Sequence, residues 1–165
     1  MILRGAVWKF GDGITTDHII PGRFYHLRSN LEELRKHVFD DVAPDFYKKV
    51  HKGDIIVGGM NFGLGSSREH APLIIKMAGI DAIVAHSFAR IFYRNAINVG
   101  LAAIVCPVSD IDEGDQLEIR LDEGILINKT TKKEKTFSPL PAIMRDILYE
   151  GGLDRYIKKH GGFKI

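Results

Sequence analysis

Asn61-Phe62-Gly63-Leu64-Gly65-Ser66-Ser67-Arg68-Glu69-His70-Ala71-Pro72 is the stretch that decides how this chain is read. Upstream of it runs the apolar segment Ile55-Ile56-Val57, which reads as a strand. Downstream runs Leu73-Ile74-Ile75-Lys76-Met77-Ala78, which reads as a helix. A glycine turn between a strand and a helix leaves backbone N–H groups facing open space with the helix dipole behind them, a ready site for an anion. Ser66 and Ser67 add hydroxyls able to donate, to cap, or to act as base or nucleophile. Arg68 adds a planar fork that matches a carboxylate or phosphate.

Spacing separates the known glycine-loop chemistries. The run Gly63 to Arg68 lacks the third glycine of a dinucleotide loop and carries a bulky arginine instead, which disfavours a nucleotide-binding domain. There is no phosphate-binding Gly-x-x-x-x-Gly-Lys loop. The Gly-x-Ser-x-Gly nucleophile elbow fails because Ser66 is followed by Ser67-Arg68. On the residues alone, Ser67-Arg68-Glu69-His70 also resembles a capped helix start. A helix cap, an anion-binding module and a catalytic serine therefore all remain open.

Working outward, Leu3–Phe10 reads as an entry strand and Gly11–Arg28 as a loop dense in Gly, Thr, Asp and Pro. Leu31–Phe39 has helical spacing. Asp54–Val57, Asp81–Ala85 and Leu101–Val105 read as buried strands, with Leu73–Ala78 as a helix between the first two. Residues 88–99 read as a second amphipathic helix presenting Phe88, Ile91, Phe92, Ala96 and Val99 on one face. This βαβαβ alternation predicts a layered α/β fold with parallel strands. Beyond Pro107, Gln116–Leu121 and Ile125–Asn128 flank Asp122-Glu123-Gly124 as a hairpin, and Lys129 to Lys135 reads as a solvated hairpin. Ile143–Tyr149 and Leu153–Lys159 read as short helices broken at Gly151-Gly152. Nothing divides the chain, so 1–165 is read as a single domain.

Composition narrows the function classes. Apolar residues make up 45% and charged residues 27%, as in an ordinary globular domain. A net charge of +2 gives no case for nucleic acid or an anionic membrane. No apolar run approaches the ~18 residues of a membrane span. Met1-Ile2-Leu3-Arg4 lacks a signal-peptide layout, so the expected location is the cytoplasm. Cys106 is the single cysteine and ends an apolar run, which suggests core packing. One thiol cannot make an internal disulfide, a zinc site or an iron–sulfur cluster.

The string Asn-Phe-Gly-x-Gly-Ser-Ser-Arg-Glu-His-Ala resembles the signature of the swivelling domain of the aconitase superfamily. Three further segments match in order. Thr15-Thr16-Asp17-His18-Ile19-Ile20-Pro21 resembles an N-terminal Thr-Asp-x-Ile-x-Pro segment. Ser87-Phe88-Ala89-Arg90-Ile91 resembles a second family segment. Phe92 to Leu101 resembles the continuation seen in isopropylmalate isomerase small subunits. The match runs from about Val7 to Pro107. It implies a three-layer β/β/α swivelling domain with a partly parallel sheet, followed by a C-terminal hairpin and helices.

The resemblance also implies a chemistry: dehydration and rehydration of a hydroxy acid through an enoate. 3-Isopropylmalate, in leucine biosynthesis, is the first choice. A homoaconitase or methylmalate-type dehydratase is the alternative. It implies a [4Fe–4S] cluster held by three cysteines, which must sit on a separate large subunit because this chain has only Cys106. No cofactor is expected on this chain. By motif, Ser66 is the base, while Ser67 and Arg68 hold a substrate carboxylate. Asp17 corresponds to an aspartate facing the cleft, although on the residues alone a loop Asp beside Thr15 and Thr16 is more often a turn former. His18 is read as a structural position, and His70 as part of a helix's first turn. Arg90 and Arg94, four apart, share a helix face suited to salt bridges within the domain or at an interface. Pro21–Ser29 corresponds to the specificity loop. Arg28 within it either binds a further substrate carboxylate or is a surface arginine.

Overall fold

The computed structural model describes residues 1–163. Strands β1 (Ile2–Lys9), β2 (Ile55–Gly58), β3 (Ala82–Ala85) and β4 (Ala102–Val105) run parallel. Strands β5 (Gln116–Arg120), β6 (Ile125–Asn128) and β7 (Lys133–Thr136) continue antiparallel, giving one seven-stranded sheet in the order β4-β3-β2-β1-β5-β6-β7. The two halves meet in β1. Its Val7–Lys9 pairs with Ile55–Val57, whereas Ile2–Ala6 pairs with Arg120 back to Gln116. Every residue of β2 and β3 is buried, as expected of strands covered on both faces. On β7, Lys135 Nζ reaches Asp110 and the Pro107 carbonyl, just beyond β4. The sheet therefore curls until its two ends approach each other.

Short helices fill the long connection from β1 to β2: α1 (Thr16–Ile19), α2 (Leu31–Leu34) and α3 (Phe46–Lys49). The crossovers between the later parallel strands are α4 (His70–Met77) and α5 (Arg90–Asn98), which pack on each other. At the C-terminus α6 (Ala142–Glu150) and α7 (Leu153–His160) pack on α5, separated by Gly151-Gly152 as the sequence predicts. The α/β class, the parallel core and both hairpins are those expected. Cys106 is buried, and burial pushes its thiol up, so it stays neutral and acts as a core residue. Among the described residues, no helix is long and apolar enough to cross a membrane.

Three local expectations are corrected. Residues 11–28 are not a plain loop. Thr15 caps α1 through a reciprocal pair, its hydroxyl accepting the His18 N–H at 3.2 Å and its own N–H donating to His18 Nδ1 at 2.9 Å. Gly22–Ser29 then forms tight 3-10 turns. The helix expected over 31–39 ends early, because Val38 turns extended and Phe39 adopts φ 59. The face assigned to residues 88–99 is wrong at Ile91, while Phe88, Phe92, Ala96 and Val99 pack on the core. The α5 helix starts only at Arg90, Phe88 precedes it, and Ile91 is 51% exposed while Phe92, Ala96 and Ile97 are buried.

Candidate active site

The glycine stretch lies at the carboxyl ends of the parallel strands, where ligands of α/β sheets are commonly bound. It leaves β2 at Gly58 and is pinned at each step as far as Leu64. Met60 N–H donates to Asp12 Oδ1 at 2.7 Å and Asn61 N–H to Ser87 Oγ at 2.8 Å. Phe62 N–H donates to the Ser87 carbonyl at 3.0 Å, Gly63 N–H to Ile14 at 2.7 Å, and Thr16 N–H to Leu64 at 2.8 Å. Three segments are thereby laced into one platform: the N-terminal loop, the loop after β2 and the loop after β3.

The glycines are required by contact as well as conformation. Gly63 has φ +87, and a Cβ there would stand 2.1 Å from Cγ of Phe92. Gly65 has φ +118, and its Cβ would stand 2.8 Å from Thr16 Oγ1. Phe62 is fully buried beneath the turn and meets Phe88 and Phe92 edge-on, at 6.1 and 5.5 Å between centroids. A bulky aromatic floor under a turn without side chains lifts residues 64–69 toward solvent.

The serines do not cap the helix. The α4 helix begins at His70, and its N-cap Glu69 makes no side-chain capping bond. A tight turn in which Arg68 N–H donates to the Ser66 carbonyl at 2.8 Å keeps 66–68 out of the helix. Ser66 and Ser67 are exposed, and their N–H groups have no partner among the described residues. Together with Arg68, Glu69, His70 and Tyr25 they line a cavity of about 380 Å³. The cap reading of Ser67 is thus removed, and the anion-site reading retains its free donors.

Arg68 is the most constrained charge in the cavity. Its side chain is 22% exposed, and its Nη1 lies 3.2 Å from Asp17 Oδ1. Its guanidinium stacks over Tyr25, with Cζ 4.5 Å from the ring centroid. Asp17 sits in the first turn of α1 and is 73% exposed, so one carboxylate oxygen orients the arginine without enclosing it. Arg28 does not line the cavity. It stacks on the same Tyr25 ring at 4.8 Å and donates to the Tyr25 carbonyl at 3.3 Å. His18 is committed to the α1 cap, and His70 stands edge-on to Tyr25 at 6.5 Å. Arg90 and Arg94 form no ion pair among the described residues, so the salt bridges expected within the domain are not made. Tyr25 is the site residue that sequence reasoning did not single out, although it lies within the Pro21–Ser29 segment read as the specificity loop.

A larger cavity of about 600 Å³ lies between α6 and α7. Three of its polar groups are already engaged, Glu150 with Lys159 at 2.8 Å and with His160 at 3.4 Å, and Tyr149 with Asp122. Volume alone does not make it the site. Among the described residues no three His, Cys, Asp or Glu side chains come together to hold a metal ion, and Cys106 is buried in the core. The residues of this chain do not fit an iron–sulfur cluster.

Residues 14–108 match the aconitase C-terminal domain family. The 3-isopropylmalate dehydratase small subunit 1 of Thermotoga maritima is 63% identical over 163 residues, covering 98% of each chain. Small subunit 2 of the same enzyme from Archaeoglobus fulgidus is 58% identical over the whole of both chains. The crystal structure of 3-isopropylmalate dehydratase (leuD) from Methanocaldococcus jannaschii superposes with a TM-score of 0.92 at 45% identity, covering 98% of this chain and 96% of that one. Its fold is thus the aconitase-type swivelling fold that the motifs imply. With the glycine turn, the serine pair and the arginine in place on that fold, the chain belongs to the aconitase C-terminal domain family, on the branch formed by the small subunits of 3-isopropylmalate dehydratases.

Proposed function

We propose that this chain is the small subunit of a two-subunit hydro-lyase, and that it supplies the base and the carboxylate-binding groups for isomerising 2- and 3-isopropylmalate in the cytoplasm. The observation that carries this reading is the convergence of Ser66, Ser67 and Arg68 on one cavity, with Asp17 bonded to the arginine. The reaction removes a proton from carbon beside a carboxylate. Such a proton is weakly acidic, so the base must be strong and its charge stabilised. Ser66 Oγ takes the proton. Its alkoxide form is stabilised by the Arg68 charge and by the unpaired N–H groups of the same turn. Arg68 and Ser67 bind a substrate carboxylate, and Asp17 holds the arginine in register. Rehydration returns the proton from Ser66. Departure of the hydroxyl belongs to the large partner subunit, on which the family resemblance puts a [4Fe–4S] cluster.

Arg28 favours a second reading within the same class. It shares a ring with Arg68, yet it has no acidic partner among the described residues. A free guanidinium beside the cavity suits an additional substrate carboxylate, as in a homoaconitase-type dehydratase or an enzyme of dual specificity. Enoate absorbance, measured anaerobically with the chain mixed with its reconstituted large subunit, tests both readings. 3-Isopropylmalate and homocitrate-type acids are compared, and each subunit alone is the control. Turnover only in the mixture supports the split hydro-lyase, and the preferred acid selects between the readings. Ser66→Ala is expected to lower kcat by about 10³-fold or more with the complex intact. If Ser66→Ala only weakens ligand binding and turnover persists, the chain is an anion-binding module instead.

A further inference from the structure

Arg68 has one hydrogen-bonded partner in the cavity, the exposed Asp17. A single exposed ion pair holds a long side chain poorly. The remaining restraint is the Tyr25 ring, which lies under the Arg68 guanidinium at 4.5 Å and under that of Arg28 at 4.8 Å. Two like charges on one ring repel each other, so their meeting there requires that the ring's attraction and its fixed position outweigh the repulsion. The turn that carries Tyr25 is anchored independently of both arginines. Arg23, two residues earlier, makes a bidentate pair with Asp41 at 2.7 and 2.9 Å and stacks on Phe24 at 4.6 Å. Phe24 stacks in turn on His37 at 3.9 Å and 11°. His70 closes the far edge of the Tyr25 ring.

We propose that Tyr25 is the positioning residue of this site. Its ring is a platform that aims the Arg68 guanidinium into the cavity and ties the turn bearing Arg28 to the turn bearing Ser66. This rests on the carboxylate-binding role of Arg68 given above. Tyr25 acts through the arginines and touches no reacting atom. It also makes the two arginines one unit, so a change in how the 22–29 turn sits is felt at Arg68 without any contact between that turn and the serines. The ring face, and not the phenol oxygen, does this, since the Tyr25 hydroxyl has no hydrogen-bond partner among the described residues.

The test compares Tyr25→Leu with Tyr25→Phe in the complex reconstituted with the large subunit, and follows Arg28 and Arg68 side-chain signals by NMR in the chain alone. In the wild type the Nε–H protons of both arginines, carried next to the Cζ atoms that lie over the Tyr25 ring, are expected upfield of free arginine. Tyr25→Leu is expected to abolish that shift and raise KM about tenfold, with kcat within about threefold. Tyr25→Phe is expected to keep both shift and KM. A Leu variant with wild-type KM, a Phe variant as impaired as Leu, or a Leu variant that loses kcat alone would each overturn the platform. If the wild-type complex turns over no hydroxy acid, the hydro-lyase reading fails. The NMR comparison then still decides whether Tyr25 orders the two arginines.

Discussion

Two glycines of nearly matched φ allow the contact under the glycine turn to be separated from its dihedral strain. Gly63 has φ +87 and Gly114 has φ +82. An alanine at either position carries the left-handed penalty of about 1–2 kcal/mol, partly offset by a stiffer unfolded chain. At Gly114 nothing lies within 4 Å of the added carbon. At Gly63 that carbon would lie 2.1, 2.5 and 2.6 Å from three Phe92 atoms, where ordinary carbon contacts need about 3.5–4.0 Å. Phe92 is 3% exposed and is stacked parallel to Phe88 and edge-on to Phe62, so it has no room to retreat. Overpacking of this kind adds about 1–3 kcal/mol. Gly114→Ala is therefore expected to cost about 1 kcal/mol and Gly63→Ala about 2–4 kcal/mol, read from urea midpoints at constant slope. In Tm this is about 2–4 °C against about 5–15 °C. Turnover in the reconstituted complex should fall for Gly63→Ala and stay unchanged for Gly114→Ala, because only the first shifts the turn carrying Ser66 and Arg68. Equal destabilisation by the two variants would show that Phe92 yields freely and that the aromatic floor does not set the height of the turn.

Three further outcomes follow from single contacts. Arg68→Lys keeps the charge but loses the fork and the stack on Tyr25, so KM should rise about tenfold or more with the melting temperature unchanged; steady-state kinetics and a thermal melt check this. Arg23→Gln removes the bidentate anchor of the 22–29 turn, so amide hydrogen exchange should quicken across that turn while the strands keep their protection. Lys135 donates to Asp110 and holds that carboxyl below the usual carboxylate range. A carboxyl lowered in the folded state adds stability above its unfolded pKa, about 4, and loses it as pH falls through the folded value. Lys135→Met should therefore lower Tm at pH 6 to 7, and the difference from wild type should shrink progressively as pH falls below about 4; an offset that stays constant with pH would show that the charge of the pair contributes nothing.

The parallel core was legible because each strand is a short apolar run and each crossover carries its own helical period. The glycine turn of the candidate site was legible as a turn because Gly63 to Arg68 is contiguous and its glycine spacing has few uses. Where composition alone left the reading open or misled it, backbone turns and packing decided. Ser67 has the composition of an N-cap, but the Ser66–Arg68 turn delays the helix to His70. Ile91 fits an apolar period counted from Phe88, but the helix starts after Phe88, and the phase counted from Arg90 turns Ile91 to solvent. Tyr25 has no signal of its own, since its role arises where the 3-10 segment meets a turn distant in sequence.

The exposure of Ser66 bears on why such a site needs two chains. In this chain its hydroxyl has no basic side chain within hydrogen-bond distance among the described residues, and water reaches it freely. Under those conditions it is an ordinary alcohol, and the charge on Arg68 is screened. The same arginine, N–H groups and serine become effective only when water is displaced, since electrostatic stabilisation of an alkoxide grows as the local dielectric falls. A cavity of about 380 Å³ that opens to solvent cannot exclude water by itself. Closure must come from a second surface laid over residues 64–70. On the proposed reading, Asp17 and Tyr25 preorganise the binding groups in the free chain, while assembly creates the basicity of Ser66. The isolated chain should therefore bind polycarboxylates weakly and turn over none, whatever their structure.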